Sequence, residues 1–405
     1  MKQKLVVIGN GMAGMRTVDE LIQLAADQYT ITVFGAEPHG NYNRIMLTPV
    51  LFGAKSIADI MIHDFAWYQR NHITLHCGAD KAVVAVDRAK RLVIAKDGTT
   101  ATYDKLLIAT GSMPLILDIP GRTLQGVMGF RDMADVQTMI ETSRIKQHAV
   151  ILGGGLLGLE AAHGLMQRGM QVTVVNRADH LLNRQLDPQA AGFLQRQLET
   201  EGITFRLGVT IAEIMGHDQH VSAIRLSDGS LIQADIVVMA TGIMPNIELA
   251  RTMGLSCERG IIVNDVLQTS DERIHAVGEC VEHRGELFGL VAPVYEQAKV
   301  CARHLAGESN VAYQTLLTAT LLKVTGIDLF SIGDFEGDAD CQLQVLIDHA
   351  LGVYRKIVLK DDVIVGVILY GDTSDSACYL NLIKQRTNIA AFRNHLLFEQ
   401  PALAA

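Results

Sequence analysis

The chain has 405 residues, 49% of them hydrophobic and 20% charged, with a formal net charge of −9 at pH 7, enough for two or three domains with sizeable cores. The acidic balance argues against nucleic acid and anionic membrane as partners, and no apolar run approaches the roughly 20 residues of a membrane helix. Cys77, Cys257, Cys280, Cys301, Cys341 and Cys378 show no CxxC or other short ligand spacing, so no metal site, iron–sulfur cluster or CxxC disulfide is expected. The opening Met1 to Ile8 imitates a secretion signal faintly. Its apolar part is too short and is broken by Gly9-Asn10-Gly11, and a cytoplasmic location is expected.

Lys4 to Ile8 reads as an apolar strand that runs straight into Gly9-x-Gly11-x-x-Gly14, with a helix predicted from Met15 to Ala26. The first glycine permits the tight turn and the second lets backbone amides approach a pyrophosphate. The third allows helix to pack closely on strand. A second strand, Tyr29 to Phe34, leads to Glu37, 23 residues beyond Gly14, close to where a dinucleotide fold places its ribose-binding carboxylate. The loop Asn41-Tyr42-Asn43-Arg44 comes next, an aromatic and a cation suited to phosphates or a ring system. Lys81 to Asp87 and Arg91 to Ala95 read as a hairpin unit closed by Asp97-Gly98. Tyr103 to Ile108 is a buried-type strand ending in Ala109-Thr110-Gly111.

The pattern then repeats. Ala149 to Leu152 leads into Gly153-x-Gly155-x-x-Gly158, a helix is predicted from Leu159 to Arg168, and Gln171 to Val175 is the next strand. Ile236 to Met239 ends in a second Ala240-Thr241-Gly242. The glycine motifs begin 144 residues apart and the Ala-Thr-Gly turns 131 apart, in the same order, which marks an internal duplication. One such motif is weak, since glycine-rich turns also serve packing. Two in register predict two dinucleotide-binding units.

Beyond Pro245 a strand from Ile274 runs to Gly278-Glu279, an acid placed to bind sugar hydroxyls, and Gly289 to Pro293 opens a helix from Val294 to Leu305. From about Val311 the pattern changes to alternating strands, Gln342 to Ile347, Tyr354 to Leu359 and Val363 to Tyr370 around Asp361-Asp362, with a closing helix near Ser374 to Gln385. The fold class is α/β: two Rossmann-like dinucleotide-binding domains and a small α+β C-terminal domain. The expected boundaries are 1–115 with 245–310, then 116–244, then 311–405. Whether the last domain covers the first unit or makes a homodimer contact stays open.

Taken together, these landmarks resemble the pyridine-nucleotide-dependent flavoprotein reductases with two dinucleotide-binding domains. Within that class, Glu37 to Arg44, Ala276 to Gly285, Gly289 to Pro293 and Leu322 to Ser331 are similar to the reductase portion of large-subunit NAD(P)H nitrite reductases. The resemblance implies FAD in the first unit, held by Gly9, Gly11, Ala13, Gly14, Glu37, Arg44, Val83, Ala109, Thr110, Gly111 and Arg131, with Glu279 on the ribityl chain and Val291-Ala292 at the flavin edge. It implies a nicotinamide dinucleotide on Gly153, Gly155, Leu156, Leu157, Gly158, Asn176, Arg177 and Gly242, with Glu160 and Lys323 near the flavin ring. Glu279 replaces the Asp common in the class, as in the nitrite-reductase-like members. Leu47-Thr48 runs into Pro49 where rubredoxin- and ferredoxin-type reductases carry Lys. The second unit ends its second strand in Asn176-Arg177 without the carboxylate that favours NADH, and Arg177 and Arg184 suit a 2′-phosphate; the resemblance favours NADH and the residues leave NADPH open.

Hydride transfer between stacked rings needs position and electrostatics rather than an acid–base pair. The resemblance therefore implies an NAD(P)H reductase passing electrons to a separate protein: a nitrate or nitrite reductase component, or else rubredoxin or ferredoxin. An NADH oxidase or peroxidase reading lacks its cysteine, since Leu47-Thr48-Pro49-Val50 has none. A redox-sensing or assembly flavoprotein without turnover is the non-enzymatic alternative.

Overall fold

This computed structural model describes residues 2–315, 317–321, 326–393 and 396–397. The chain forms two compact units, Met1–Val50 with Lys55–Met113 and Ile243–Leu316, and Leu51–Ala54 with Pro114–Gly242 and Leu317–Ala405.

The first unit opens with β1 (Gln3–Ile8), α1 (Met12–Ala25), β2 (Tyr29–Gly35) and β3 (Thr74–Cys77). A three-stranded antiparallel meander comes next, β4 (Val83–Asp87), β5 (Leu92–Ala95) and β6 (Thr100–Thr102), and then β7 (Lys105–Ile108). The chain crosses into the second unit with β8 (Val127–Gly129), α2 (Met133–Ser143), β9 (His148–Leu152), α3 (Leu156–Gln167) and β10 (Gln171–Asn176). That unit continues with α4 (Pro188–Thr200), β11 (Thr204–Leu207), a second meander, β12 (Ile211–His217), β13 (His220–Leu226) and β14 (Leu231–Gln233), and β15 (Ile236–Met239). The chain returns to the first unit for β16 (Ile274–Ala276) and α5 (Val291–Leu305).

The first parallel sheet has the order β16-β7-β1-β2-β3 and the second β8-β15-β9-β10-β11, so the duplication read in the motifs extends to strand order and to the meander inserted before the last inner strand. Central strands of a parallel sheet are covered on both faces, which is why they read as unbroken apolar runs. Leu5, Val7, Val33 and Leu106 to Ile108 are wholly buried in the first unit, and Val150, Ile151, Val174 and Ile236 to Val238 in the second.

Both glycine-motif helices begin earlier than the sequence pattern predicts. They start at Met12 and Leu156, directly after the second glycine, so Gly14 and Gly158 lie inside the first turn. A Cβ on Gly14 would lie 2.5 Å from the Gly9 carbonyl oxygen, and one on Gly158 would collide with the Gly153 carbonyl. Glycine there marks close packing of helix on turn, not the end of the loop. Helix α5 likewise starts at Val291 rather than Val294.

The last elements are β17 (Thr320–Leu321), β18 (Leu329–Gly333), β19 (Gln342–Asp348), β20 (Val353–Lys360), β21 (Val363–Tyr370) and α6 (Ser376–Gln385). They form an antiparallel sheet in the order β17-β18-β21-β20-β19, with Asp361 and Asp362 both left-handed at φ 52° and 56° in the tight turn. One face packs Ile357, Leu359 and Val367 against Tyr379, Leu382 and Ile383 of α6. The other meets α4, a partner that the sequence pattern does not offer. Asp187 caps α4 through the Ala190 N–H (3.0 Å) and accepts from Tyr354 Oη (2.6 Å) and Lys356 Nζ (3.0 Å). Burial alone would raise the Asp187 carboxyl, but these donors overcome it and hold the group below the ordinary carboxylate range.

Candidate functional site

Each unit carries one glycine turn, and the two are nearly identical in their bonding. Gly9 and Gly153 both sit at φ 117°, where a Cβ would strike the carbonyl of Ala109 in the first unit and that of Ala240 in the second. The Gly9 N–H donates to Phe34 O and the Gly153 N–H to Val175 O, each at 2.8 Å. Ala109 N–H donates to Ile8 O and Ala240 N–H to Leu152 O, again at 2.8 Å. The threonine of each Ala-Thr-Gly turn then fixes a neighbouring segment, Thr110 Oγ1 to Asn246 O at 2.6 Å and Thr241 Oγ1 to Leu115 O at 2.8 Å.

The helix start behind each turn is built for an anion. Gly11 and Gly155 are the N-cap residues of α1 and α3, extended at φ −84° and −83°, with no side-chain cap and no acid in the first turn. By contrast α2 starts on an Asp132 capping box and α4 on Asp187. A Cβ at Gly11 or Gly155 would meet nothing within 4 Å, so clear space lies before these amides. Unspent N–H groups, the positive end of the helix and clear ground ahead of both fit the pyrophosphate of a dinucleotide.

The remaining FAD residues named from the sequence fall in the first unit, except Arg131. Glu37 stands just past β2, where its carboxylate accepts from Tyr42 Oη (2.7 Å) and pairs with Arg44 Nη2 (2.5 Å). Arg44 also lies over the Tyr42 ring at 5.2 Å, so the loop Asn41 to Arg44 and the acid form one assembly. Ala13 and Val83 are partly buried against the core. Gly278 at φ 96° approaches Ala13 so closely that a Cβ there would lie 2.9 Å from it. Glu279 is half-buried and accepts from Ser112 Oγ at 2.9 Å. Val291 and Ala292 open α5 behind the N-cap Leu290, which supplies no side-chain cap. Arg131 belongs to the second unit, next to the capping box, and its N–H donates to Asp135 Oδ2 at 2.6 Å.

In the second unit Leu156 and Leu157 form the first turn of α3, Glu160 stands half-buried one turn further, and Gly242 at φ 128° faces open space. Asn176 does something the sequence does not announce. Its Oδ1 accepts from the Gly154 N–H (3.0 Å), and its Nδ2 donates to Ala178 O (3.3 Å) and His180 O (3.0 Å). It is a clamp on the turn. Arg177 is exposed. Lys323 lies outside the described residues.

Two positions escaped the sequence reading. Ser112 directly succeeds the Ala-Thr-Gly turn and orients Glu279. Gln297 is wholly buried on α5 and accepts the Gly278 N–H at 2.8 Å, which ties that helix to the Gly-Glu turn. The available signal was a glutamine at a core-facing helical position between Val294 and Ala298. Among the described residues no cluster of His, Cys, Asp and Glu is placed to hold a metal, all six cysteines are unpaired, and no helix is long and apolar enough to cross a membrane.

Residues 3–304 match the family described as pyridine nucleotide-disulphide oxidoreductase, and residues 319–387 match the rubredoxin NAD+ reductase C-terminal domain. The chain is 46% identical over 389 residues to a nitrite reductase [NAD(P)H] of Bacillus subtilis, covering 96% of this chain and 48% of that protein. It is 45% identical over 386 residues to the assimilatory nitrate reductase electron transfer subunit of the same organism, covering 95% and 50%. The chain thus spans about half the length of these relatives. Among solved structures, NADH:rubredoxin oxidoreductase from Clostridium acetobutylicum superposes with a TM-score of 0.82 at 26% identity, over 98% of this chain and 99% of that one.

Proposed function

The chain belongs to the pyridine nucleotide-disulphide oxidoreductase family, and from that premise we propose that it passes electrons from NAD(P)H through FAD to a separate acceptor protein in nitrate or nitrite assimilation. It is an NAD(P)H-dependent flavoprotein oxidoreductase. The observation that carries the finer reading is the 45% identity, over 95% of the chain, to a protein named as an electron transfer subunit of assimilatory nitrate reductase. A rubredoxin-type acceptor is the second reading, supported by the match of residues 319–387 to the C-terminal domain of rubredoxin reductases.

FAD, when bound, supplies the chemistry of taking a hydride from the nicotinamide and releasing electrons onward. The chain's own residues supply position and field. We assign the amides behind Gly11 to the FAD pyrophosphate, Glu37 with Arg44 to the adenosine end, and Glu279, held by Ser112, to the ribityl hydroxyls. The uncapped start of α5 at Val291 and Ala292 directs partial positive charge outward and would hold the flavin edge, where that charge would assist electron acceptance. The amides behind Gly155 take the nicotinamide dinucleotide. Unpaired cysteines and an NAD(P)H donor favour the cytoplasm.

The test is an anaerobic titration of the purified yellow protein with NADH and then NADPH, followed by addition of candidate acceptors. Bleaching of the flavin absorption at about one equivalent per flavin, with reoxidation by a nitrate or nitrite reductase component, is the expected result. Reoxidation by rubredoxin alone would move the assignment to the second reading. A flavin that neither nucleotide reduces would leave only the sensing or assembly role.

A further inference from the structure

The second unit reveals which nicotinamide dinucleotide it is built to receive, and this inference rests on the reading that it receives one at all. The duplicated backbone bonds give the alignment. Phe34 O and Val175 O each accept the N–H of the first motif glycine, so three residues further on Glu37 and Ala178 hold equivalent places. In dinucleotide folds an acid near that place bonds the ribose 2′-hydroxyl, whereas an arginine accommodates a 2′-phosphate. Ala178 has no polar side chain, and its carbonyl is already taken by the Gly208 N–H at 3.0 Å and by Asn176.

The neighbouring polar groups are likewise spent. Both ends of the Asn176 amide are bonded, its oxygen to the Gly154 N–H and its nitrogen to His180 O. Asp179, the adjacent acid, is exposed and holds His180 Nδ1 at 2.6 Å. What remains is cationic. Arg177 comes directly after Asn176, and Arg184 lies in a segment pinned to the glycine turn by the Leu182 N–H donating to Gly154 O at 2.9 Å. Both side chains are exposed, and neither enters an ion pair among the described residues. A guanidinium free of an acid is a strong, bidentate partner for phosphate, and two of them on the segment that follows β10, which offers no carboxylate at the Ala178 place, favour a dianion.

We propose that this unit takes the 2′-phosphorylated dinucleotide, so that NADPH is at least as good a donor as NADH, and that Arg177 and Arg184 set this preference by meeting the 2′-phosphate. A salt-dependent advantage is expected, since exposed phosphate contacts are screened.

Two measurements test it on the FAD-loaded protein. Calorimetric titration with adenosine 2′,5′-bisphosphate and with AMP should show the bisphosphate binding about tenfold tighter or better, and the Arg177→Ala, Arg184→Ala double variant should lose that margin. The ratio of kcat/KM for NADPH to that for NADH should be at or above one, fall about tenfold in the double variant, and shift towards NADH in Ala178→Glu. Equal binding of the two probes together with a wild-type ratio of about one tenth or less overturns the proposal. So does a double variant that loses NADPH and NADH activity in equal proportion. If neither nucleotide reduces the flavin and neither probe binds, the reductase reading itself fails, an outcome separate from a simple preference for NADH.

Discussion

The two nucleotide units solve one backbone problem with residues exchanged between two places. In the first, the turn carries Asn10 and the strand ends in Gly35; in the second, the turn carries Gly154 and the strand ends in Asn176. Asn10 Nδ2 donates to His39 O (3.1 Å) and its carbonyl accepts from Asn41 Nδ2 (3.0 Å). Asn176 Nδ2 donates to His180 O, and the Gly154 carbonyl accepts from the Leu182 N–H at 2.9 Å. Crowding enforces the exchange: a Cβ on Gly35 would lie 2.8 Å from the Asn10 Cβ, and one on Gly154 3.0 Å from the Asn176 side chain. Only one member of each pair can be asparagine. A duplicated fold thus preserves a bonding pattern more faithfully than it preserves the residue that supplies it.

The harshest way to break the symmetry is to add a methyl group to the first glycine of either motif. Gly9→Ala and Gly153→Ala each force a left-handed residue against a carbonyl, at more than about 3 kcal/mol. The expected outcomes differ by unit. Gly9→Ala should lose bound FAD, read as flavin absorbance per chain. Gly153→Ala should stay yellow and lose affinity for the nicotinamide dinucleotide.

Second in size is the clamp. Asn176→Ala leaves the Gly154 N–H and the His180 carbonyl without a partner, while the Ala178 carbonyl keeps the Gly208 N–H, and should destabilise by about 2 kcal/mol in urea unfolding. Moving the asparagine to its place in the first unit, Gly154→Asn with Asn176→Gly, should recover at least half of that loss. No recovery would mean that the correspondence is formal only.

A subtler asymmetry lies at the sheet edges. His275 is fully buried in β16, with both ring nitrogens unpartnered among the described residues; the matching edge position in β8 is Met128. Burial, then His304 and Lys105, hold the His275 imidazole down to a pKa of about 3. The folded chain therefore keeps it neutral. Its contribution is intact above the free-histidine value of about 6.5 and is lost as pH falls towards 3, at roughly 1 kcal/mol per pH unit. His275→Met, which copies the second unit, should flatten the acid limb of a stability–pH curve and change little at pH 8. The smallest effect is expected of Tyr354→Phe, about 1 kcal/mol, because Asp187 keeps its lysine and backbone donors.

Much of this was legible in the sequence because parallel strands and glycine turns leave strong local signatures. Two apolar runs, two GxGxxG motifs and two Ala-Thr-Gly turns foretold both parallel sheets and the glycine turn that opens a helix in each. Helix starts were misplaced because Gly14 and Gly158 look like loop residues and are glycine only for lack of room. The resemblance implies Asn176 as a nicotinamide-dinucleotide residue, and its bond to a turn 22 residues earlier adds a structural role that no local pattern announces. Ser112 and Gln297 act across 167 and 19 residues, distances over which a single sequence gives no pairing signal.

The joint at Asp187 bears on how such a chain can be cut. Sequence comparison separates residues 319–387 as their own domain, which invites treating them as an appendage. Yet the carboxylate that starts α4 is neutralised from β20, and Phe193 of the same helix packs on Tyr354 and Tyr370. A chain truncated before β17 would keep both glycine turns and be left with a half-buried, cation-starved acid and a bared aromatic face. The third module is the missing wall of the second one's interior, and shuffling it between proteins would require carrying α4 along.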